Sequence, residues 1–276
     1  MKTVRSIEDL RHARAGAAGR RVGFVPTMGA LHAGHRALMV AARADCDVAV
    51  ASIFVNPRQF DDPRDLAAYP RAEADDAALA RDAGMDVLFV PAPEAIYPAG
   101  HATSMTMASA ALGFEGDRRP GHFNGVALVC LKLFHLVEPD VVYLGQKDAQ
   151  QVAVLRQLIR DVNLAIAVHV VPTVRAADGL ALSSRNVRLS AADRARAAAI
   201  PQALRAGLEA WQTGADPARA ARSALGPLEI EYADVTTFDD EPTLVVAVRV
   251  GTTRLIDNVP LNQPALAGLF HRHPDP

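Results

Sequence analysis

The sequence predicts an α/β protein in which helices cover both faces of a parallel sheet, followed by a smaller α+β domain. Short apolar, β-rich runs alternate with longer Ala/Leu/Arg-rich runs, which is typical of strands joined by crossover helices. Past residue 227, apolar residues recur with a period of two, which indicates antiparallel strands. The length of 276 residues accommodates one large domain and one small one.

Each predicted element follows from its own stretch of sequence. Runs rich in Val, Ile and Phe predict strands over residues 21–27, 47–57, 86–91, 141–145 and 166–174. Ala- and Leu-rich runs with helical spacing predict helices over residues 34–45, 75–84, 125–139 and 150–163. A further helical stretch covers roughly 190–225, and the period-two runs cover 228–238 and 243–258. We therefore predict a Rossmann-like, doubly wound domain over residues 1–174 and a smaller α+β domain over residues 175–276.

Composition narrows the class of protein. The net charge of −2 at pH 7 and the pI of about 6.5 give no basic field for a nucleic-acid partner. The first 14 residues carry charges throughout, unlike a signal peptide, and no run approaches the roughly 20 apolar residues of a membrane span. Cys46 and Cys130 lie in apolar contexts, as expected of buried thiols in a reducing compartment. We expect a cytoplasmic protein without membrane or nucleic-acid partners.

The stretch PTMGALHAGH, residues 26–35, links the first predicted strand to the first predicted helix. Ligands of open parallel sheets bind beyond the carboxyl ends of the strands, and the unpaired N–H groups of a helix start attract phosphate. The imidazoles of His32 and His35 can donate to phosphate oxygens, while Gly29 and Gly34 let the chain bend. Two alternatives stay open, namely a metal pair lacking its third ligand and two incidental loop histidines.

Further polar side chains that could bind a substrate lie next to other predicted strands and helices. Asn56 and Gln59 come directly after the second predicted strand, where amides suit recognition of hydroxyl and carboxylate groups. Arg119 and His122 precede the helix predicted over residues 125–139, and they are candidates for a loop that lines the substrate. A plain turn and a plain helix-start loop are the respective alternatives.

The segment LGQKDAQQ, residues 144–151, again joins a strand to a helix. Lys147 can neutralise phosphate charge, Asp148 can bind ribose hydroxyls, and Gln151 lies one turn further on. Asp148 acting only as a helix cap is the alternative.

A second phosphate loop is predicted in GLALSSRN, residues 179–186. Ser183 and Ser184 offer hydroxyl donors and Arg185 a cation. Such a composition is also ordinary for a loop, and its occurrence together with the first histidine motif favours the phosphate interpretation.

Seven stretches, taken in order, resemble the pantoate–β-alanine ligases (pantothenate synthetases), members of the HxGH nucleotidyltransferase superfamily. They are PTMGALHAGH (26–35), SIFVNPRQF (52–60), LAAYPR (66–71), RPGHFNGV (119–126), LGQKDAQQ (144–151), DGLALSSRN (178–186) and RLIDN (254–258). Each stretch alone is weak, whereas seven in sequence over residues 26–258 are highly specific.

The resemblance implies a two-step reaction in the coenzyme A pathway. ATP would adenylate the carboxylate of (R)-pantoate and release diphosphate, and the amine of β-alanine would then attack the pantoyl adenylate to give pantothenate and AMP. It further implies Mg²⁺ accompanying ATP, a cytoplasmic homodimer, and a C-terminal domain that acts as a lid.

The resemblance also implies roles for individual residues. The residues expected to catalyse the reaction are His35, His32 and Lys147. The expected ATP site comprises Met28, Gly29, Ala30, Leu31, His32, Ala33, Gly34, His35, Gly145, Gln146, Lys147, Asp148, Val174, Leu182, Ser183, Ser184 and Arg185. The residues expected to bind pantoate or β-alanine are Gln59, Gln151 and Asn56. Asp75 and Asp76 are candidate Mg²⁺ contacts, with a solvated helix face as the alternative.

Two positions depart from the family pattern. Gln146 stands where the family often has Glu, and Leu128 stands where Thr is frequent. Neither departure removes a chemical role assigned above. We expect both to affect substrate affinity and not the class of reaction. Two other functions stay open at this point: a nucleotidyltransferase that acts on a different acid, and a non-catalytic protein that binds a nucleotide or RNA.

Overall fold

The computed structural model describes residues 1–262, which fold into two compact units. The first unit comprises Met1–Gly145 and Gln150–Val171; the second comprises Gln146–Ala149 and the chain from Pro172 onward. The boundary between residues 174 and 175 stays a prediction about independent domains. Residues 263–276, which we assigned to the smaller domain, lie outside the described residues.

The first unit is built on a sheet of parallel strands in the spatial order β1-β4-β3-β2-β5-β6. The strands are β1 (Lys2–Val4), β2 (Val22–Thr27), β3 (Val48–Ile53), β4 (Val87–Phe89), β5 (Val141–Gly145) and β6 (Ala167–Val171). Successive strands run outward from β2 to one side and continue from β5 on the other. The gap between the carboxyl ends of β2 and β5 is therefore the topological switch point, where ligands of such sheets bind.

Helices cover both faces of this sheet. They are α1 (Ile7–Ala15), α2 (Ala33–Asp45), α3 (Pro63–Ala67), α4 (Glu73–Asp82), α5 (Pro93–Ile96), α6 (Phe114–Arg118), α7 (His122–Val137) and α8 (Ala149–Asp161). Phe24 of β2 packs edge-on against Phe134 of α7, with ring centroids 6.4 Å apart, whereas its neighbour Val25 faces the core formed with α2. This alternation confirms the predicted doubly wound α/β fold.

The first strand of the sheet, β1, was not predicted from the sequence. The strand predicted over residues 21–27 is β2, because the three-residue β1 is too short to show a periodic pattern. The strand predicted over residues 47–57 ends at Ile53, and residues 57–59 form a 3₁₀ turn that starts at Pro57. Cys46 and Cys130 are free and buried, as predicted.

The second unit combines helices with an antiparallel sheet, as predicted. The strands are β7 (Glu229–Phe238), β8 (Glu241–Val250) and β9 (Thr253–Pro260), and the helices are α9 (Ala191–Ala197), α10 (Ala199–Gln212) and α11 (Pro217–Leu225). Leu204 and Leu208 of α10 share a buried core with Leu244 and Val246 of β8. Along the described part of the chain, no helix is both long and apolar enough to cross a bilayer.

Candidate active site

The loop between β2 and α2 reverses the chain at the switch point. Gly29 and Ala30 have φ angles of 79° and 51°, the left-handed conformation that a tight turn requires. The Thr27 hydroxyl donates to the carbonyl of Ser52 on β3 (2.6 Å) and accepts from the N–H of Gly29 (3.2 Å). The start of the loop is therefore fixed to the sheet by a buried side chain.

The two histidines of this loop form the cap of α2. Nδ1 of His32 accepts from the N–H of Gly34 (3.1 Å), and Nδ1 of His35 accepts from the N–H of His32 (3.3 Å). Because Nδ1 accepts in both rings, the hydrogen-bond geometry assigns the ring proton to Nε2 in each. The ring centroids lie 4.2 Å apart, so the helix start holds two N–H donors side by side.

A buried carboxylate holds the same loop from the other side. Asp76 of α4 accepts from the backbone N–H of Ala30 (2.9 Å) and of Leu31 (2.7 Å), and it is only 3% exposed. Both carboxylate oxygens are thereby committed to the loop. Asp76 thus lies away from the solvated helix face that the sequence offered as one alternative, whereas its neighbour Asp75 is exposed.

Gln59 is oriented by a buried network of amides. Asn56 Nδ2 donates to Gln59 Oε1 (2.9 Å) and to the carbonyl of Gly125 (3.1 Å). Asn56 Oδ1 accepts from the N–H of Arg58 (3.2 Å) and from the Tyr97 hydroxyl (2.9 Å). All four hydrogen-bonding positions of the Asn56 amide are therefore taken by the protein, and the predicted contact of Asn56 with substrate stays a prediction.

The Gln59 loop contacts both the loop between β2 and α2 and the start of α7. Gln59 Nε2 approaches Met28 Sδ at 3.2 Å, which joins two segments predicted separately from the sequence. The Gln59 carbonyl accepts from His122 Nδ1 (2.8 Å) and from Arg119 Nη2 (3.3 Å). His122 and Arg119, predicted to line the substrate, thus hold the backbone of Gln59.

The neighbouring glutamines of α8 differ in their surroundings. Gln150 is buried, accepts from the N–H of Glu115 (3.0 Å) and donates to the carbonyls of Ala110, Leu112 and Gly113. Gln151, the predicted pantoate ligand, is half-buried. The structural task therefore falls to Gln150, and the assignment of Gln151 stays a prediction.

In the second unit, Lys147 lies in a 3₁₀ turn over Gln146–Asp148. Asn258 Nδ2 donates to the carbonyls of Gln146 (3.0 Å) and Lys147 (2.9 Å), and Gln146 Nε2 donates to Asn258 Oδ1 (3.0 Å). Lys147 Nζ lies 3.6 Å from Asp148 Oδ1, and the lysine side chain is 20% exposed. The departure at Gln146 thus supplies a donor that the more frequent Glu lacks.

The second predicted phosphate loop is a short hairpin that leads into a turn. The N–H of Leu182 donates to the carbonyl of Val174 (3.0 Å), so two predicted ATP-site residues are paired across the hairpin. Ser183 caps the 3₁₀ turn Ser184–Arg188, its hydroxyl accepting from the N–H of Arg185 (3.3 Å). The hydrogen bonds thus order the loop locally.

Sequence reasoning missed two residues that support this machinery. Asp76 was considered only as a metal contact or a solvated residue, because nothing in one helical stretch shows which loop packs against it. Asn258 lies in the RLIDN motif, which signalled family membership without indicating a task. Across residues 1–262, no group of three or more His, Cys, Asp or Glu side chains is arranged to hold a metal ion.

Comparison with known proteins gives a consistent result. The sequence profile of the pantoate–β-alanine ligase family matches residues 2–260. A pantothenate synthetase of Cereibacter sphaeroides is 46% identical over 276 aligned residues, covering 94% of this chain and 99% of that protein.

Two crystal structures extend the likeness to the fold. Pantothenate synthetase from Thermus thermophilus has a TM-score of 0.90 and 42% identity, covering 95% of this chain and 99% of that one. Pantoate–β-alanine ligase from Francisella tularensis, complexed with β-γ ATP and β-alanine, has a TM-score of 0.83 and 34% identity, covering 95% and 98% of the two chains. The family match spans nearly the whole sequence, and the chain belongs to the pantoate–β-alanine ligase family.

Proposed function

We propose that this ligase condenses (R)-pantoate with β-alanine at the expense of ATP, through a pantoyl-adenylate intermediate. The products are pantothenate, AMP and diphosphate. Family membership supports the overall reaction, and the Francisella relative crystallised with an ATP ligand and β-alanine supports two of the three substrates.

The paired histidines are the observation that carries the mechanism. A carboxylate oxygen of pantoate attacks the α-phosphorus of ATP, and the bond from that phosphorus to the oxygen of the leaving diphosphate breaks. Negative charge builds on the α-phosphate oxygens as the phosphorus becomes five-coordinate. His32 and His35, with Nδ1 committed to the backbone, direct Nε2–H donors at these oxygens, which lowers the barrier because no reorganisation is needed during the reaction.

The second step forms the amide. The neutral amine of β-alanine attacks the acyl carbon of the adenylate, AMP leaves with the former carboxylate oxygen, and the amine proton is released. Gln59 and Gln151 hold the pantoyl group, so that two bound reactants replace a bimolecular encounter. Asn56 fixes the Gln59 amide, since its own donors and acceptors are engaged within the protein.

Polar side chains of the second unit are assigned to the phosphates of ATP. We assign Lys147 and Arg185 to neutralising phosphate charge, and Ser183 and Ser184 to donating hydrogen bonds to it. Asp148, 3.6 Å from the Lys147 ammonium, restrains that side chain.

Magnesium enters this scheme with ATP, as part of the substrate. Asp76 does not fit a ligand role, because its two oxygens already accept backbone hydrogen bonds and the residue is 3% exposed. We therefore route no step through a protein-bound ion. The homodimer implied by the family resemblance stays a prediction. A measurement of the molecular mass in solution by light scattering tests it.

Exchange of labelled diphosphate into ATP tests the proposed reaction. Exchange requires reversible adenylation of the acid, so we expect it with (R)-pantoate and without β-alanine. The control acids are (S)-pantoate and a hydroxy acid of different length. Exchange that depends on another acid and not on pantoate would show that the chain is a nucleotidyltransferase of different specificity.

A further inference from the structure

The dipeptide Asp257-Asn258 of β9 belongs to the RLIDN motif, to which the proposed reaction gives no task. Both residues are polar and buried, with exposures of 3% and 5%. Their backbones already pair with Val246 and Val245 of β8, so the sheet does not need their polar side chains. Buried polar groups are costly unless they are hydrogen-bonded, and a fully bonded network holds its partners rigidly, so the partners of these two side chains show what they position.

Asn258 fixes the two peptide groups that flank the Cα of Lys147. Its Nδ2 group donates to both of their carbonyls at 3.0 and 2.9 Å, and its Oδ1 accepts from the Gln146 side chain at 3.0 Å. One asparagine therefore sets the position from which the Lys147 side chain departs.

Asp257 fixes the hairpin that carries the second phosphate loop. It forms a two-point ion pair with Arg175, with Nη1–Oδ2 and Nη2–Oδ1 distances of 2.6 and 3.1 Å. Arg175 Nη1 also donates to the carbonyl of Gly179 (3.2 Å), at the turn of the hairpin. Asp257 Oδ1 accepts in addition from the N–H of Asn258 (2.8 Å), which links the two anchors. A buried ion pair adds little net stability compared with apolar packing, but removal of one partner leaves an uncompensated buried charge, so the two partners hold each other in place.

We propose that Asp257-Asn258 is the positioning element of the second unit, with Asn258 placing Lys147 and Asp257 placing the loop of Ser183–Arg185. The inference rests on the proposed function, since it takes Lys147 to act on phosphate. Neither Asp257 nor Asn258 is assigned to touch substrate. Each fixes the backbone of a segment, and that segment carries the side chains assigned to phosphate.

The variant Asn258→Asp tests this proposal. Its shape is conserved, but an oxygen replaces the amide that donates to the two carbonyls, so the Gln146–Asp148 turn shifts. Because a misplacement of about 1 Å can cost about 100-fold in rate, we expect kcat per folded protein to fall by about 10- to 100-fold. The KM for β-alanine, which Lys147 does not contact in our scheme, should stay within about twofold.

A double-mutant cycle separates positioning from simple loss of structure. If Asn258 acts through Lys147, then Asn258→Asp in the background of Lys147→Ala should change kcat by less than about threefold, because the group being positioned is gone. Thr243→Val is the control: Thr243 is buried in the same sheet and donates to the Glu241 carbonyl, away from the turn. This control should lower the melting temperature and leave kcat unchanged.

The outcomes are distinguishable. Full kcat in Asn258→Asp, or an equal loss with and without Lys147, would overturn the proposal and leave the reaction intact. Asn258→Ser is the second variant, and if neither variant folds, Asn258 serves folding and the proposal is wrong. Absence of pantoate-dependent exchange in the unaltered chain, or full activity in Lys147→Ala, would instead count against the proposed function itself.

Discussion

The protonation pattern of the histidine pair is set by the backbone that the two rings cap. Because Nδ1 of His32 accepts from the N–H of Gly34, and Nδ1 of His35 from that of His32, this geometry places both ring protons on Nε2. In the proposed mechanism, the hydrogen bonds that cap α2 are therefore the same ones that orient the two donors toward phosphate. Any change that moves the His32 ring should affect both.

Substitution of Gly34 tests this coupling. An added Cβ would lie 2.8 Å from His32 Cε1 and 3.0 Å from His32 Nδ1, so the ring must leave its capping position. We expect Gly34→Ala to lower kcat/KM by about tenfold or more, because a displaced donor loses part of the roughly 100-fold effect of one preorganised donor. Steady-state kinetics measure it, with Gly16→Ala as the control, because a Cβ there makes only ordinary contact with Ala13. Equal activities of the two variants would refute the coupling.

Asp76 provides a second prediction for a single residue. Replacing it by Asn leaves one acceptor for two loop amides, and its NH₂ group then faces a backbone N–H. We expect Asp76→Asn to lower kcat by about tenfold or more through misplacement of the loop, with an unchanged Mg²⁺ concentration dependence. Asp75→Asn, one residue away on the exposed face, is the matched control and should be fully active. A Mg²⁺ dependence shifted in Asp76→Asn but not in Asp75→Asn would show direct coordination by Asp76 instead.

At the scale of single residues, the sequence predicts the candidate catalytic side chains better than the residues that hold them in place. The positions of His32 and His35 could be predicted because they follow a strand and open a helix. Asp76 could not, because its partners are backbone N–H groups about 45 residues earlier, and only the packing of α4 on the loop brings them together. The same holds for His122, whose partner is the Gln59 carbonyl.

The 3₁₀ turn at Pro57–Gln59 and the start of α7 act as a packed pair of elements. Gly125 lies so close to this turn that an added Cβ would be 2.2 Å from the Arg58 carbonyl oxygen. An exposed helical Gly→Ala change gains about 1 kcal/mol. Here overpacking against backbone should reverse the sign, and we expect Gly125→Ala to destabilise the protein by about 1–3 kcal/mol. Urea unfolding measures this, and a stabilised variant would show that the turn is not held by α7.

Tyr97 ties the same turn to α5, and it predicts a pH dependence. Burial raises the pKa of Tyr97 from 10.0 to about 12, although the neighbouring Arg58 cation acts in the opposite direction. The hydroxyl therefore stays a donor to Asn56 at pH values where a tyrosine in the unfolded chain ionises. As the pH rises from 10 to 12, the unfolded chain loses this proton and the folded chain retains it, so stability declines across that window.

We expect the unfolding free energy of Tyr97→Phe to decline less steeply between pH 10 and 12 than that of the wild type. The two slopes should differ by the equivalent of up to one bound proton. Urea unfolding at closely spaced pH values measures the two slopes. Cys130→Ala is a useful comparison, because burial also raises the pKa of that thiol to about 12 and the charge of its thiolate itself contributes to the raised pKa of Tyr97. Identical slopes for the wild type and Tyr97→Phe would contradict the assignment.

The elements were predictable to the extent that they are long and periodic. The six-residue strands β2 and β3 and the helix α2 follow from their apolar patterns. The three-residue β1 has no pattern to detect, and its place at the sheet edge depends on pairing with β4, far along the chain. Short segments such as α3, α5 and α6 are likewise fixed by tertiary contacts.

At the scale of the whole molecule, the proposed tasks are divided between the two compact units. The first unit carries the histidine pair and the amides that select the acid; the second carries Lys147 and the serine–arginine loop. Family resemblance supplied the substrates, which no physical reading of loops could name. The structure adds how the residues are held, through Asp76 in the first unit and Asp257-Asn258 in the second.

The central claim is that His35 acts on the α-phosphate while the acid is adenylated. The direct measurement is pantoate-dependent exchange of labelled diphosphate into ATP by His35→Ala, at saturating ATP and pantoate and without β-alanine. We expect the exchange rate to fall by about 100-fold or more, as when one preorganised donor is removed, with the apparent pantoate affinity within about threefold. An exchange rate within about threefold of the wild type, less than about 1 kcal/mol of barrier, would contradict the claim.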